Sequence, residues 1–103
     1  MKVFTLNDIN IIVGQNSKEN WALLDSAKQN YLWFHLDKLS SPYVIIEHSE
    51  PPHNVILQAC QYCKEYSKWK GSVKVIYTTV KNVNKGTEIG QAIISGKTKS
   101  INL

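Results

Sequence analysis

The sequence predicts an α+β domain with a mainly antiparallel sheet and two helices, in the order ββαββαβββ. Three observations lead to this class. β-branched runs with period-two alternation recur between turns marked by Asn, Gly and Pro, while two other windows repeat their apolar residues at helical spacing. The third is length: 103 residues suffice for one core and are too few for two, so residues 1–103 are read as a single domain.

The elements follow in order. KVFTL and INIIV are two strands joined by Asn7-Asp8, a good pair for a tight hairpin turn. Gly14 ends the second strand, and Ser17 is placed to cap a helix running to about Ala27, with Glu19 in its first turn and Trp21 and Leu24 pointing inward. Asn30 breaks that helix. YLWFHLD and YVIIEH, about 31–37 and 43–48, are the next two strands. Pro51-Pro52 suits the first turn of a second helix, which carries Val55 through Tyr66 and stops before Gly71. VKVIYTT then alternates strongly, TTVKNVNKGTEIG reads as a polar basic loop, and QAIIS and TKSINL are short strands around Gly96-Lys97. The helices are expected to cover one face of the sheet.

The net charge of +4 is unevenly spread. Residues 1–63 carry four Lys against six acids, and residues 64–103 carry eight Lys against two. The basic half is the candidate electrostatic footprint for nucleic acid, and its lysines are expected to form one continuous surface across neighbouring last strands. All twelve cations are Lys. Without Arg, bidentate reading of guanine is disfavoured, so contact with nucleic acid should grip phosphate and leave sequence unread. No window approaches the apolar length of a membrane span, and the N-terminus lacks the pattern of a signal peptide, so the chain is read as soluble and cytoplasmic.

The cysteines, Cys60 and Cys63, form a CxxC that continues the apolar series Val55, Ile56, Ala59 at helical spacing. They are expected to be buried packing thiols, reduced and unreactive, without metal or disulfide. His35, His48 and His53 have no ligand-like spacing, and neither a GxSxG nor a phosphate-cradling Gly loop is present. A binding module without catalytic residues, cofactor or metal is therefore expected.

The run IVGQNSKENWALLDSAKQNYLWFHLDKLSSPYVII resembles the NFACT-R domain family, the module found toward the C-terminal side of ribosome quality-control factors, and is most similar to its free-standing members. The residues that carry the likeness are Gly14 and Asn16 in a G-x-N, Asn20, the triplet Trp33-Phe34-His35, Tyr77-Thr78, and the basic loop with Lys81, Val83, Lys85 and Gly90. The sequence departs from the family pattern at Tyr43, where a His is usual, at Pro42, and at Val80 and Asn84, which replace cations. The resemblance implies RNA binding, with tRNA or ribosomal RNA as ligand and DNA as a second nucleic acid to consider, in translation or ribosome quality control. The chain as given carries no NFACT-N domain or helical arm, so tRNA recruitment by the full-length route is not expected of it. The alternative is a protein-interaction module docking on a ribosome-associated or translation factor.

Residues expected to contact nucleic acid are Trp33, His35 and Tyr43 together with Lys81, Lys85, Lys97 and Lys99. Trp33 and His35 share the strand face opposite Leu32, Phe34 and Leu36. Two readings stand for the Trp33 ring: a stacking surface for a base, or the cap of a second small cluster with Tyr43 or Tyr77.

Overall fold

The computed structural model describes Met1–Leu103. A hairpin of β1 (Lys2–Leu6) and β2 (Ile9–Val13) turns through Asn7 and Asp8, both with positive φ (53° and 61°). Leu6 pairs with Ile9, so the turn has two residues, the type whose twist matches the flanking strands. Helix α1 (Ser17–Ser26) follows, then β3 (Leu32–Leu36), β4 (Val44–Ile46), helix α2 (His53–Ser67) and β5 (Lys74–Thr79). A single 3-10 turn, Val80–Asn82, leads into β6 (Val83–Lys85), and β7 (Ala92–Ile94) and β8 (Lys99–Asn102) complete the chain.

Six strands form one antiparallel sheet in the order β1-β2-β4-β3-β5-β8, and β6 pairs with β7 in a separate ribbon. The class and helix count agree with expectation, with three differences. The stretch read as a polar loop contains β6. The last strands are not all neighbours, since β8 joins β5 and β7 turns away to β6. The helices also lie on opposite faces. Helix α2 packs Val55, Ala59, Cys60 and Cys63 onto Ile11, Val13, Phe34, Leu36, Val44, Ile46 and Val75. On the other face Leu23 and Leu24 of α1 meet Trp33, Tyr43, Ile45, Val80 and Val83.

Coverage of both faces has a cause in the strands themselves. β4 is a continuous apolar run, Val44-Ile45-Ile46, and all three side chains are buried. β3 is apolar on its even positions and carries the buried Trp33 and the half-buried His35 on its odd ones. A strand with no polar face must be covered twice, because a bare apolar face would leave a large area in water. Along β3, Phe34 stacks on Tyr77 of β5 at 4.9 Å between ring centres on the α2 side. Trp33 pairs with Ile45 and Thr78 on the α1 side. Both cysteines are free and fully buried in α2, and burial pushes the Cys60 thiol up to about 12 and Cys63 well above its ordinary value.

Candidate nucleic-acid interface

The cleft that gathers the greatest number of the expected residues lies where β5 ends and β8 begins. Tyr77 and Lys99 are register partners across these strands and therefore share a face, the one that carries α2. Tyr77 is held by its stack on Phe34 and is half-buried; burial, with Cys60 as a lesser cause, raises its phenol above the ordinary value. Thr78 faces the other way and fixes the approach of the β7–β8 connection: its hydroxyl donates to the Lys97 carbonyl at 3.1 Å and accepts from Asn82 Nδ2 at 2.9 Å. Asn82 in turn takes the Ser95 N–H on its carbonyl at 2.8 Å. These bonds hold the connection bearing Lys97 and Lys99 against the end of β5. The resulting cleft has a volume of roughly 580 Å³ and is lined by Tyr77, Thr78, Asn82, Lys97 and Lys99, with Glu50 and Ile56 on the α2 side. Thr79 also lines it, and its buried hydroxyl meets no protein partner.

The lysines do not form one continuous surface. By register Lys74 pairs with Asn102 and Lys99 with Tyr77, three residues apart along β5, so the two lysines fall on opposite faces of the sheet. Lys85 is engaged elsewhere: its Nζ meets Asp25 of α1 at 2.7 Å and sits 5.3 Å from the Trp21 ring centre. It fastens the β6–β7 ribbon to α1. Lys81 is exposed on the 3-10 turn next to Asn82, with its N–H donating to the Gln29 carbonyl at 3.0 Å.

Trp33, His35 and Tyr43 come together, but on the α1 face and beneath its cover. Trp33 is only 1% exposed and Tyr43 is fully buried. The indole meets Tyr43 edge-on at 5.3 Å and lies parallel to His35 at 5.6 Å, while the Tyr43 hydroxyl donates to the Gly90 carbonyl at 2.7 Å. The exposed stacking platform is therefore corrected: the ring caps a second cluster, because α1 and the β6–β7 ribbon close over it. His35 is half-buried at the rim. Its Nδ1 lies 2.7 Å from the Leu36 carbonyl, which can only accept, so Nδ1 carries the proton and Nε2 is the acceptor in the neutral ring. Burial lowers the His35 pKa against the opposing effect of its backbone hydrogen bonds.

The G-x-N stretch turns out to be architectural. Asn16, and not Ser17, is the N-cap of α1, its Oδ1 accepting the Glu19 N–H at 2.9 Å. Glu19 reaches back to the Gln15 N–H at 3.0 Å, completing a reciprocal cap, and its carboxyl is held below the ordinary value first by the N-terminal amino group and then by Gln15. Asn20 is buried, and its Oδ1 accepts the Tyr43 N–H at 3.1 Å. A side chain at position 14 would place its Cβ against that same Oδ1, so Gly14 provides the room that Asn20 occupies. Sequence reasoning missed this link because nothing local ties residue 20 to residue 43.

Residues 2–100 match the family described as NFACT protein RNA binding domain. The chain belongs to this NFACT-R family. It is also 32% identical over 80 residues, 75% of its length, to the Rqc2 homolog RqcH of Bacillus subtilis (strain 168). It spans only 14% of that relative. A solved structure with the same fold, at TM-score 0.88 and 24% identity, is the C-terminal part of the fibronectin/fibrinogen-binding protein from Streptococcus suis, matching 98% of this chain and 43% of that one. The NFACT-R assignment thus covers nearly every element, including the late strands that build the cleft. No helix is long and apolar enough to cross a membrane.

Proposed function

We propose that this NFACT-R domain binds RNA, tRNA or ribosomal RNA, without catalysis, as part of translation or ribosome quality control. Lys97 and Lys99 hold backbone phosphates at the cleft, Lys81 extends the contact from the adjoining turn, and the Tyr77 ring, with Thr78 and Asn82 behind it, meets a base or sugar. The observation that carries the reading is the meeting of Tyr77, Thr78, Lys97 and Lys99 in one cleft although eighteen residues separate their two stretches. Support for the setting comes from likeness to the Rqc2 homolog.

The test is RNA affinity as a function of salt. Each phosphate contact contributes somewhat under one unit to the slope of log affinity on log salt, so Lys97→Ala with Lys99→Ala should lower the slope by about 2. An unchanged slope would remove the cleft from the mechanism. A protein-docking role finds its own support in Ile89 and Ile93, exposed near and on β7, and predicts binding that is insensitive to salt.

A further inference from the structure

The cleft at β5 and β8 holds a carboxylate as well as its lysines. Lys97 and Lys99 line it from the β8 side, while Glu50 lines it from the segment that leads into α2. Tyr77 and Thr79 lie between them on the same face of β5, and the Thr79 hydroxyl, a group ordinarily satisfied when buried, has no protein partner. Glu50 is exposed and makes no ion pair, with these lysines or with any other cation. Its backbone is nevertheless fixed: the Glu50 N–H donates to His48 Nδ1 at 2.9 Å, and Pro51-Pro52 follow with their restricted φ.

Most exposed carboxylates are merely solvated. This one borders a cleft that also presents cations and an aromatic ring, and a site that only gripped phosphate would lose by the repulsion it adds. A nucleotide has the matching layout, with an anionic phosphate at one end, a flat base, and N–H donors on the base's far edge. The Tyr77 ring, held by Phe34 at 4.9 Å between ring centres, offers the base a surface to stack on. With the phosphate on the lysines and the base on Tyr77, the base edge is directed to the α2 side and Glu50. A carboxylate there has two acceptor oxygens and no donor. Of the four RNA bases, only guanine sets two donors side by side on its Watson–Crick edge, N1–H and the 2-amino group. Adenine and cytosine set one amino group beside a ring-nitrogen lone pair, and uracil sets one N–H between two carbonyls, so each turns lone pairs on the anion.

We propose that Glu50 makes the cleft select an unpaired guanine, its carboxylate accepting both donors while Lys97 and Lys99 hold the adjoining phosphates. This selection rests on the RNA-binding reading of the cleft and adds to it the preferred base and the residue that reads it. The lysines, as point charges, leave sequence unread; the two-oxygen carboxylate supplies the discrimination that they lack. The cleft, at roughly 580 Å³, falls within the range of about 300–1,000 Å³ usual for sites that enclose a small ligand.

The experiment measures, by fluorescence anisotropy at low salt, the affinity of the whole chain for labelled single-stranded RNA pentamers that differ only at the central base. UUGUU should bind about tenfold or more tightly than UUAUU, UUCUU or UUUUU, the discrimination expected of one bidentate contact. Inosine at the central position keeps N1–H and lacks the 2-amino group, and should lose affinity severalfold against guanine. Glu50→Ala changes an exposed side chain and leaves the fold intact; it should abolish the guanine preference while UUUUU binds no more weakly than before. Equal affinity for all the pentamers would overturn the proposal. So would a guanine preference that persists in Glu50→Ala, which would assign it to stacking of the larger ring. Binding without base preference that is lost in the Lys97 and Lys99 double variant would leave the cleft standing as a phosphate grip and remove this selection alone. Failure of every pentamer to bind would overturn the RNA-binding reading itself, and the selection with it.

Discussion

The Tyr43 N–H donates to Asn20 Oδ1 at 3.1 Å, tying the first turn of α1 to the start of β4 across twenty-three residues of sequence. The bond is buried, and Gly14, whose N–H donates to the Tyr43 carbonyl at 3.0 Å, completes a closed arrangement of three residues.

Asn20→Ala should therefore cost about 1–3 kcal/mol in urea denaturation, because the Tyr43 N–H is left buried without an acceptor. Gly14→Ala should also destabilise, since its Cβ would press on Asn20 Oδ1. The double variant should be less unstable than the sum of the two, as the shortened residue 20 makes room for the new methyl group. Strict additivity would show that the contact at Gly14 is relieved elsewhere.

Trp33 separates packing from binding. Trp33→Ala should cost about 3–5 kcal/mol, the usual range for emptying an aromatic site. Trp33→Phe should be much milder, because the indole N–H it removes is buried with no protein partner and contributes no hydrogen bond to lose. Thermal melts of the two variants give the comparison, and a melt unchanged in Trp33→Ala would contradict the burial.

Lys81 and Lys85 are expected to part company in RNA binding. Lys81→Ala should lower the salt slope by about 1. Lys85→Ala should leave the slope unchanged, because Asp25 already neutralises it, and as an exposed pair it should cost at most about 1 kcal/mol of stability. Equal losses of slope in the two variants would return Lys85 to the binding surface.

Two groups, the half-buried His35 and the buried Cys60, give the stability of the domain a pH dependence of opposite sense. The folded-state pKa of His35 is depressed, so the unfolded chain binds the proton more readily; stability is full above the ordinary value of 6.5 and falls as pH drops through and below it. Cys60 is raised from 9.0 to about 12, so its contribution is full below 9 and is lost as pH rises toward 12. His35→Gln should flatten the acid limb of a melting-temperature profile, and Cys60→Ala the alkaline limb. A thiol reagent should modify the native chain at pH 8 only as fast as it unfolds.

Much of this was legible from residue patterns. The Asn7-Asp8 turn, both helices and the inward cysteines follow from local chemistry alone, whereas the cap of α1 is ambiguous by one residue, since Asn16 and Ser17 are both good caps and only the fold selects Asn16. The two-sided core had a signal too: a polar face is missing from Val44-Ile45-Ile46, which is the mark of a strand covered twice. What could not be read was anything set by distant pairing. β6 is three residues inside a Lys- and Asn-rich stretch, and its partner lies beyond a loop. The exposure of Trp33 likewise depended on whether α1 crosses to the second face, which no spacing within β3 records. The cleft was legible as residues and illegible as a place, since Thr78 and Lys97 meet only once β8 has docked on β5.

The sheet order places β4 and β3, from the middle of the chain, at its centre, and the strands nearest the two ends of the chain, β1 and β8, at its rims. Each rim strand is hydrogen-bonded on one side only, so either can peel away without uncovering Phe34 or Trp33. Amide protons of β1 and β8 should accordingly exchange through local opening, and those of β3 only when the whole domain unfolds. The cleft hangs on one of these rims. When β8 detaches, Lys99 leaves Tyr77, so occupancy of the cleft should slow exchange in β8 far more than in β1, and the grip on the ligand is itself a clamp on the final strand of the chain.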